Sequence, residues 1–379
     1  MISFLKNFIL LIVSLFIILF LIEVALQFFY PQATMEQLYK DYPAIYQPSD
    51  TLPFALKPNT KAYFRTPEFN VSISINAQGY RGKPFQFAKE NQVRILAIGD
   101  SFTFGHGVND NETYASYLEE LMGNSVEVIN AGYVSGYSPD TYYLYLKTFG
   151  LALKPDIILV GFFVGNDIDS PFSDDNEWVQ VDEQNLPLKI NSGYSVVENG
   201  YRINRYQKFR YKWPLLRNSN LFQLIMDRVE PLWSQSSFFH SHERVQPDLN
   251  AFANIYRPKY PKRTQILLQQ VQRLLLEMHK LAQQHSSQLL PILIPELGQI
   301  DPKTIPNFIS QPEQLDLDKP QRLLTDFFQR HQISYIDLLP ILRAHSDQQT
   351  YFREDRHWTP TGHRLAAEAI ADYLLREGI

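Results

Sequence analysis

Four short blocks of this 379-residue sequence carry side chains that could do chemistry together. Gly99-Asp100-Ser101-Phe102 offers a hydroxyl. Asn130-Ala131-Gly132 offers a backbone amide at a residue without a Cβ. Gly165-Asn166-Asp167 offers a carboxamide. Asp355-Arg356-His357-Trp358 offers an imidazole beside a carboxylate, with Glu354 one residue earlier. A serine hydroxyl is a weak nucleophile until a base in contact takes its proton. Imidazole titrates near neutrality and suits that task. Amide N–H groups stabilise an oxygen on which charge develops. These are the parts of serine-based acyl transfer.

The parts are dispersed over some 250 residues, so the fold must gather them. From Val93 the sequence alternates short apolar strands with amphipathic helices. Strands are read at Arg94–Ile98, Val126–Ile129, Asp156–Phe163, Leu289–Ile294 and Ser334–Leu338, and helices over 112–122, 139–151, 264–284, 320–331 and 360–377. Strands this apolar, alternating with helices, predict a parallel sheet covered on both faces. The fold class read here is therefore α/β, a three-layer α/β/α sandwich with a mostly parallel sheet. Open sheets of this kind bind ligands beyond the carboxyl ends of their strands. Three of the four blocks follow a strand directly, and the fourth precedes the last helix, so all four are expected on one rim.

Residues 170–262 break the alternation and are read as a long insertion, rich in Asn, Ser, Tyr, Trp and Pro. Its Trp178, Trp213 and Trp233 are read as core anchors or as a platform for stacking sugar rings. Residues 31–92 form a β-rich lead-in, with Val71–Ile75 alternating as a half-buried strand before a turn at 77–80. Phe8 to Phe29 is almost wholly apolar. As a helix it would extend about 33 Å, enough to cross a bilayer core. Phe28, Phe29 and Tyr30 resemble an interfacial belt, and Lys6 before the span favours an N-terminus on the cytoplasmic side. A cleaved signal peptide is the competing reading, but no small-x-small cleavage site follows the apolar run. The domain scheme is thus 1–30 anchor, 31–92 lead-in and 93–379 main domain.

Composition removes other classes. There are 35 Lys+Arg against 40 Asp+Glu, a formal net charge of −5, which argues against a nucleic-acid partner. The absence of Cys excludes a thiol nucleophile, a disulfide scaffold and a zinc ribbon. His363 follows His357 by four residues, a spacing also seen in metal sites, but no further ligand cluster accompanies the pair, so no metal is expected, and no cofactor. His106 and the His240/His242 pair are read as loop residues, and Asp167 as structural.

The blocks, in this order within a β/α alternation, resemble the SGNH (GDSL-like) hydrolase superfamily over roughly 93–375. The resemblance implies a flavodoxin-like fold with Ser101 as nucleophile, His357 as base, and an oxyanion hole formed by the amides of Ser101 and Gly132 and the side chain of Asn166. The common esterase pattern places an acid three residues before the histidine, where Glu354 stands. Asp-x-His-Trp resembles instead the branch that includes exported polysaccharide O-acetyltransferases, in which the acid would be Asp355. The expected activity is hydrolysis of acyl esters outside the cytoplasmic membrane, with acylated glycans as candidate substrates. The alternatives are O-acyl transfer to an exported polysaccharide, or a catalytically silent glycan-binding domain.

Overall fold

A computed structural model of the protein describes residues 2–32, 34–35, 37, 42–89, 91–134, 137–168, 179–190, 195–204, 213, 216–234, 251–305 and 314–379. Trp178, His240 and His242 lie outside these residues, as does the side chain of Trp233. In chain order, helix α1 (Ile2–Phe29) is followed by an antiparallel hairpin, β1 (Thr60–Arg65) and β2 (Asn70–Ile75). The main domain then runs β3 (Val93–Gly99), α2 (Ser101–Phe104), α3 (Tyr114–Met122), β4 (Val126–Gly132), α4 (Pro139–Tyr145), β5 (Ile157–Phe163) and α5 (Val164–Asp167). After the insertion, which contributes α6 (Asn220–Ser234), come α7 (Lys262–Gln284), β6 (Gln288–Ile294), α8 (Lys319–Arg330), β7 (Ile336–Asp337) and α9 (Pro360–Arg376).

Five strands form one parallel sheet in the order β7-β6-β5-β3-β4. Side chains along a strand alternate between faces, and the two cores divide accordingly. Ile95, Ala97, Ile157, Leu159 and Ile292 pack under α3 and α9. Leu96, Ile98, Ile158, Val160 and Leu293 pack under α4, α7 and α8. The three layers expected from the alternation are thereby present. The first sheet strand, β3, lies between the second and the third. β3 leads on through α3 on one face and the adjacent β5 leads on through α7 on the other, the usual setting for a binding crevice in such sheets.

The helices have local causes. Leu267, Val271, Leu274, Leu275, Met278 and Ala282 place a buried stripe along α7. Thr113 Oγ1 accepts the Ser116 N–H at the start of α3, and Thr359 caps α9 before Pro360. The expected single helix over 139–151 is instead α4 followed by a π turn at Leu146–Gly150 and a 3₁₀ turn at Leu151–Leu153.

Helix α1 is long and apolar enough to cross a membrane, and its apolar side chains are exposed from Phe4 to Ile22. Near its end, Glu23 accepts hydrogen bonds from Ser219 Oγ (2.7 Å) and from the Asn220 and Leu221 N–H groups (2.6 and 2.9 Å). Those N–H groups open α6 and have no partner within the helix, so Glu23 serves as its cap. Within the insertion, Trp213 is 51% exposed, which removes it as a core anchor.

Candidate active site

Ser101 is the first residue of α2, directly after β3. Asp100 caps this one-turn helix by accepting the Phe102 N–H (3.0 Å). Gly105 ends it in a left-handed conformation (φ 89°) that a side chain would strain. The buried Arg81 guanidinium donates to the carbonyls of Phe104, Gly105 and Val108 (2.5–2.7 Å). As the opening residue of a helix, Ser101 keeps an N–H with no intrahelical acceptor.

His357 reaches Ser101 from the far end of the chain, with Nε2 2.7 Å from Oγ. Its Nδ1 is 2.7 Å from Asp355 Oδ1. A carboxylate can only accept, so Nδ1 carries the proton and Nε2 is left to accept from the serine hydroxyl. Asp355 and His357 are two residues apart and face each other because Arg356 between them adopts φ +68°. A non-glycine residue in that region costs about 1–2 kcal/mol. Arg356 is tethered there: its guanidinium donates to Glu296 Oε1 and to the Thr304 carbonyl (3.0 Å). Trp358, fully buried, anchors the next position in the core. Glu354 is exposed, so the carboxylate on His357 is that of Asp355.

Asp355 holds a second imidazole. His106 Nε2 is 3.1 Å from Asp355 Oδ2, and the His106 and His357 rings lie 4.3 Å apart. His106 is therefore not the surface loop residue expected. It is 9% exposed and packed edge-on against Phe64 and Phe69 of the lead-in hairpin. Burial holds the His106 imidazole below its ordinary pKa although Asp355 pulls it up. It is thus the neutral ring whose Nε2–H donates. Burial alone would raise the Asp355 carboxyl, but the donors on His106 and His357 hold it well below the usual carboxylate range.

The other expected residues are placed as follows. Asn166 is the third residue of α5, the one-turn helix after β5, and its Nδ2 donates to Asp100 Oδ2 (3.0 Å). An amide nitrogen carries two hydrogens, so one N–H remains. Asp167 is buried, accepting from Tyr142 Oη and the Phe163 N–H (3.0 Å each), and burial together with the nearby Asp100 pushes its carboxyl well up. Gly132 departs from expectation. It closes β4 instead of following it, and its N–H donates to Asn130 Oδ1 (3.0 Å), so that amide is already engaged. Its missing Cβ matters for a different reason: one placed there would lie 2.2 Å from the Phe104 nitrogen.

His106, Asp355 and His357 could also present three metal-ligand atoms within 4.8 Å of one another. Each Asp355 oxygen, however, is matched to an imidazole N–H, the arrangement of a hydrogen-bonded relay. His363 does not join them. It is fully buried, and its Nδ1 accepts the Tyr114 N–H (3.2 Å).

Residues 256–379 match the family described as an SGNH hydrolase-like domain, acetyltransferase AlgX. That segment holds Asp355 and His357, while Ser101, Gly132 and Asn166 precede it. No curated protein matches the chain. Among solved structures, a lipolytic protein of the G-D-S-L family from Desulfitobacterium hafniense DCB-2 is 13% identical, with 74% of this chain and 99% of that one covered at a TM-score of 0.39. A catalytic mutant of Axe2, an acetylxylan esterase from Geobacillus stearothermophilus, is 11% identical, with 75% and 95% covered at 0.38. These scores are below 0.5. Residues 256–379, which carry the Asp-x-His-Trp block, are thus similar to SGNH hydrolase-like domains, and in this parallel α/β/α fold the serine after the first sheet strand meets that block.

Proposed function

We propose that Ser101, His357 and Asp355 are the nucleophile, base and orienting acid of an ester hydrolase acting on acyl esters outside the cytoplasmic membrane. One observation carries this reading: the unbroken relay from Ser101 Oγ to His357 Nε2 and from His357 Nδ1 to Asp355 Oδ1, each step 2.7 Å. His357 Nε2 takes the hydroxyl proton as Oγ bonds to the substrate carbonyl carbon. The carbonyl oxygen gains the charge, and the Ser101 N–H and the remaining Asn166 N–H are its donors. Loss of one such donor costs about 10²–10³ in turnover. The tetrahedral species collapses, the C–O bond to the alcohol breaks, and the alcohol leaves with the proton from His357. An acyl group is now on Ser101. Water oxygen bonds to the acyl carbon as His357 takes its proton; the bond to Ser101 Oγ then breaks, His357 returns the proton to Oγ, and the acid leaves.

A second reading differs only in that last acceptor: a sugar hydroxyl in place of water makes the enzyme an O-acyltransferase. The family's acetyltransferase description favours it, and the exposed Trp213 indole is the kind of surface on which a sugar ring stacks. The extracytoplasmic location is supported by α1, with Lys6 before the apolar run and Phe28, Phe29 and Tyr30 exposed at its end.

The decisive test is covalent labelling of the full chain with a fluorophosphonate, with p-nitrophenyl acetate turnover alongside. Labelling should map to Ser101, and Ser101→Ala should lose both signals. A folded wild type that takes no label would leave only the silent binding domain. Mass spectrometry of a glycan incubated with enzyme and acyl donor then separates transfer from hydrolysis.

A further inference from the structure

The lead-in hairpin reaches into the site at its turn. Glu68 lies between β1 and β2, and its carboxylate meets three consecutive N–H groups of the loop that carries the acid and the base. Oε1 accepts from Arg353 (2.9 Å) and Glu354 (3.2 Å), and Oε2 accepts from Glu354 (3.1 Å) and Asp355 (2.7 Å). Successive N–H groups converging on one anion form a nest, a strong and directional arrangement. The turn is itself ordered. Thr66 Oγ1 accepts the N–H groups of Glu68 and Phe69 (3.2 Å each), and the Thr66 N–H donates to the Phe69 carbonyl (2.8 Å).

The same turn touches the other half of the site. The Phe69 ring centroid lies 5.2 Å from Phe352 and 5.5 Å from His106. Gly107 is pressed so close that a Cβ there would lie 2.8 Å from Phe352 and 3.2 Å from Phe69. Farther along, the Ser72 and Ser74 N–H groups donate to Asn109 and Asp110 (3.1 and 3.2 Å), in the segment after the serine helix. One hairpin therefore grips the loop after Ser101 and the loop before His357, two stretches about 250 residues apart in sequence.

We propose that Glu68 is a positioning residue for the Ser101–His357–Asp355 relay, an inference that rests on reading those three as the catalytic set. Asp355 and His357 face each other only while the intervening Arg356 stays in its left-handed conformation. Arg356 is tethered by Glu296 on one side, and the N–H of Asp355 is fixed by Glu68 on the other. Without Glu68 three N–H groups turn to water, and the loop is free to swing Asp355 away from the imidazole. Glu68 touches no reacting atom, so its removal should act on the rate of the chemical step more than on substrate binding.

The test compares Glu68→Ala, Glu68→Gln and Glu68→Asp in the full chain with Lys61→Ala, an exposed position on the same hairpin. Glu68→Ala should lower kcat, and the fluorophosphonate labelling rate per folded molecule, by about 10- to 100-fold, the scale of a displacement near 1 Å. KM should stay within about twofold. Amides 353–355 should exchange with deuterium faster. Glu68→Gln should fall between, because it keeps one acceptor oxygen but turns an NH₂ towards the Asp355 N–H. Glu68→Asp should recover part of the rate, and Lys61→Ala should match wild type. A kcat loss explained entirely by a smaller labelled fraction would overturn the proposal, as would unchanged exchange at 353–355. If wild type neither labels nor turns over, the catalytic reading is what fails, and amide exchange still decides whether Glu68 holds the loop.

Discussion

At the scale of single residues, the position that decides most is the acid. Glu354 and Asp355 are adjacent, similar in charge and equally able to orient an imidazole, yet they differ in what the backbone does with them. Glu354 is exposed and contributes its N–H to Glu68. Asp355 turns inward, and each of its oxygens receives one imidazole N–H. Asp355→Asn puts an amide where two donors converge, so the His357 tautomer that leaves Nε2 free to accept is no longer favoured. A fall of about 10³–10⁴ in kcat is expected from a misdirected tautomer. Glu354→Ala should leave kcat within about twofold, since exposed polar positions without a partner at the chemistry contribute little. Steady-state turnover of p-nitrophenyl acetate by the two variants reads this directly, and equal losses would mean that the loop moves in solution.

At the scale of elements, the strands and helices were legible because their causes are local. Runs such as Ile157–Phe163 need two covered faces wherever they fall, and α7 carries its stripe in its own residues. What was not legible depends on partners distant in sequence. His106 lies between two glycines in what reads as an ordinary loop, and nothing nearby indicates that Phe64 and Phe69 cover it. Glu68 answers amides some 285 residues on. The end of β4 belongs to the same class: pairing of Ala97 with Asn130 and Gly99 with Gly132 extends the strand through a block that reads as the turn after it. Gly132 is thereby pressed against α2, with a Cβ predicted 2.2 Å from the Phe104 nitrogen and 2.5 Å from the Thr103 carbonyl carbon. Both neighbours are backbone, so no side chain can swing aside. Gly132→Ala should therefore cost about 1–3 kcal/mol, the scale of overpacking, lowering Tm by about 2–4 °C per kcal/mol in a domain of this size. Because the displaced helix begins with Ser101, kcat should fall further than the folded fraction does. Thermal unfolding measured beside turnover separates the two, and a variant with wild-type kcat would show that α2 moves freely.

At the scale of the whole molecule, the sheet keeps titratable groups of both kinds inside, and they set opposing responses to pH. Burial holds the imidazole of His106 below its ordinary pKa and that of His363 well below it. Burial pushes the carboxyls of Asp100 and Asp167 up. For the histidines, the unfolded chain takes up a proton near pH 6.5 while the folded one does not. Their contribution is thus present above that value and is lost as pH falls towards the folded pKa, at up to about 1.4 kcal/mol per pH unit for each group. The raised carboxyls work the other way, because the folded state keeps their protons to higher pH than the unfolded chain does. The net curve mixes both, so a substitution is needed to isolate one group. His363 suits this, being outside the hydrogen-bonded relay and bonded through Nδ1 to the Tyr114 N–H. Asparagine can place its Oδ1 where Nδ1 accepts. His363→Asn should be less stable than wild type at pH 7.5, through lost packing against Trp358 and Tyr114. Below about pH 6.5 the gap should narrow by up to about 1.4 kcal/mol per unit, since the variant no longer has an imidazole to protonate on unfolding. Thermal midpoints of the two proteins at pH 7.5, 6.5 and 5.5 measure that convergence. Parallel curves would mean that the unfolded imidazole gains no proton the folded one lacks, and that His363 is charged or solvated inside the fold.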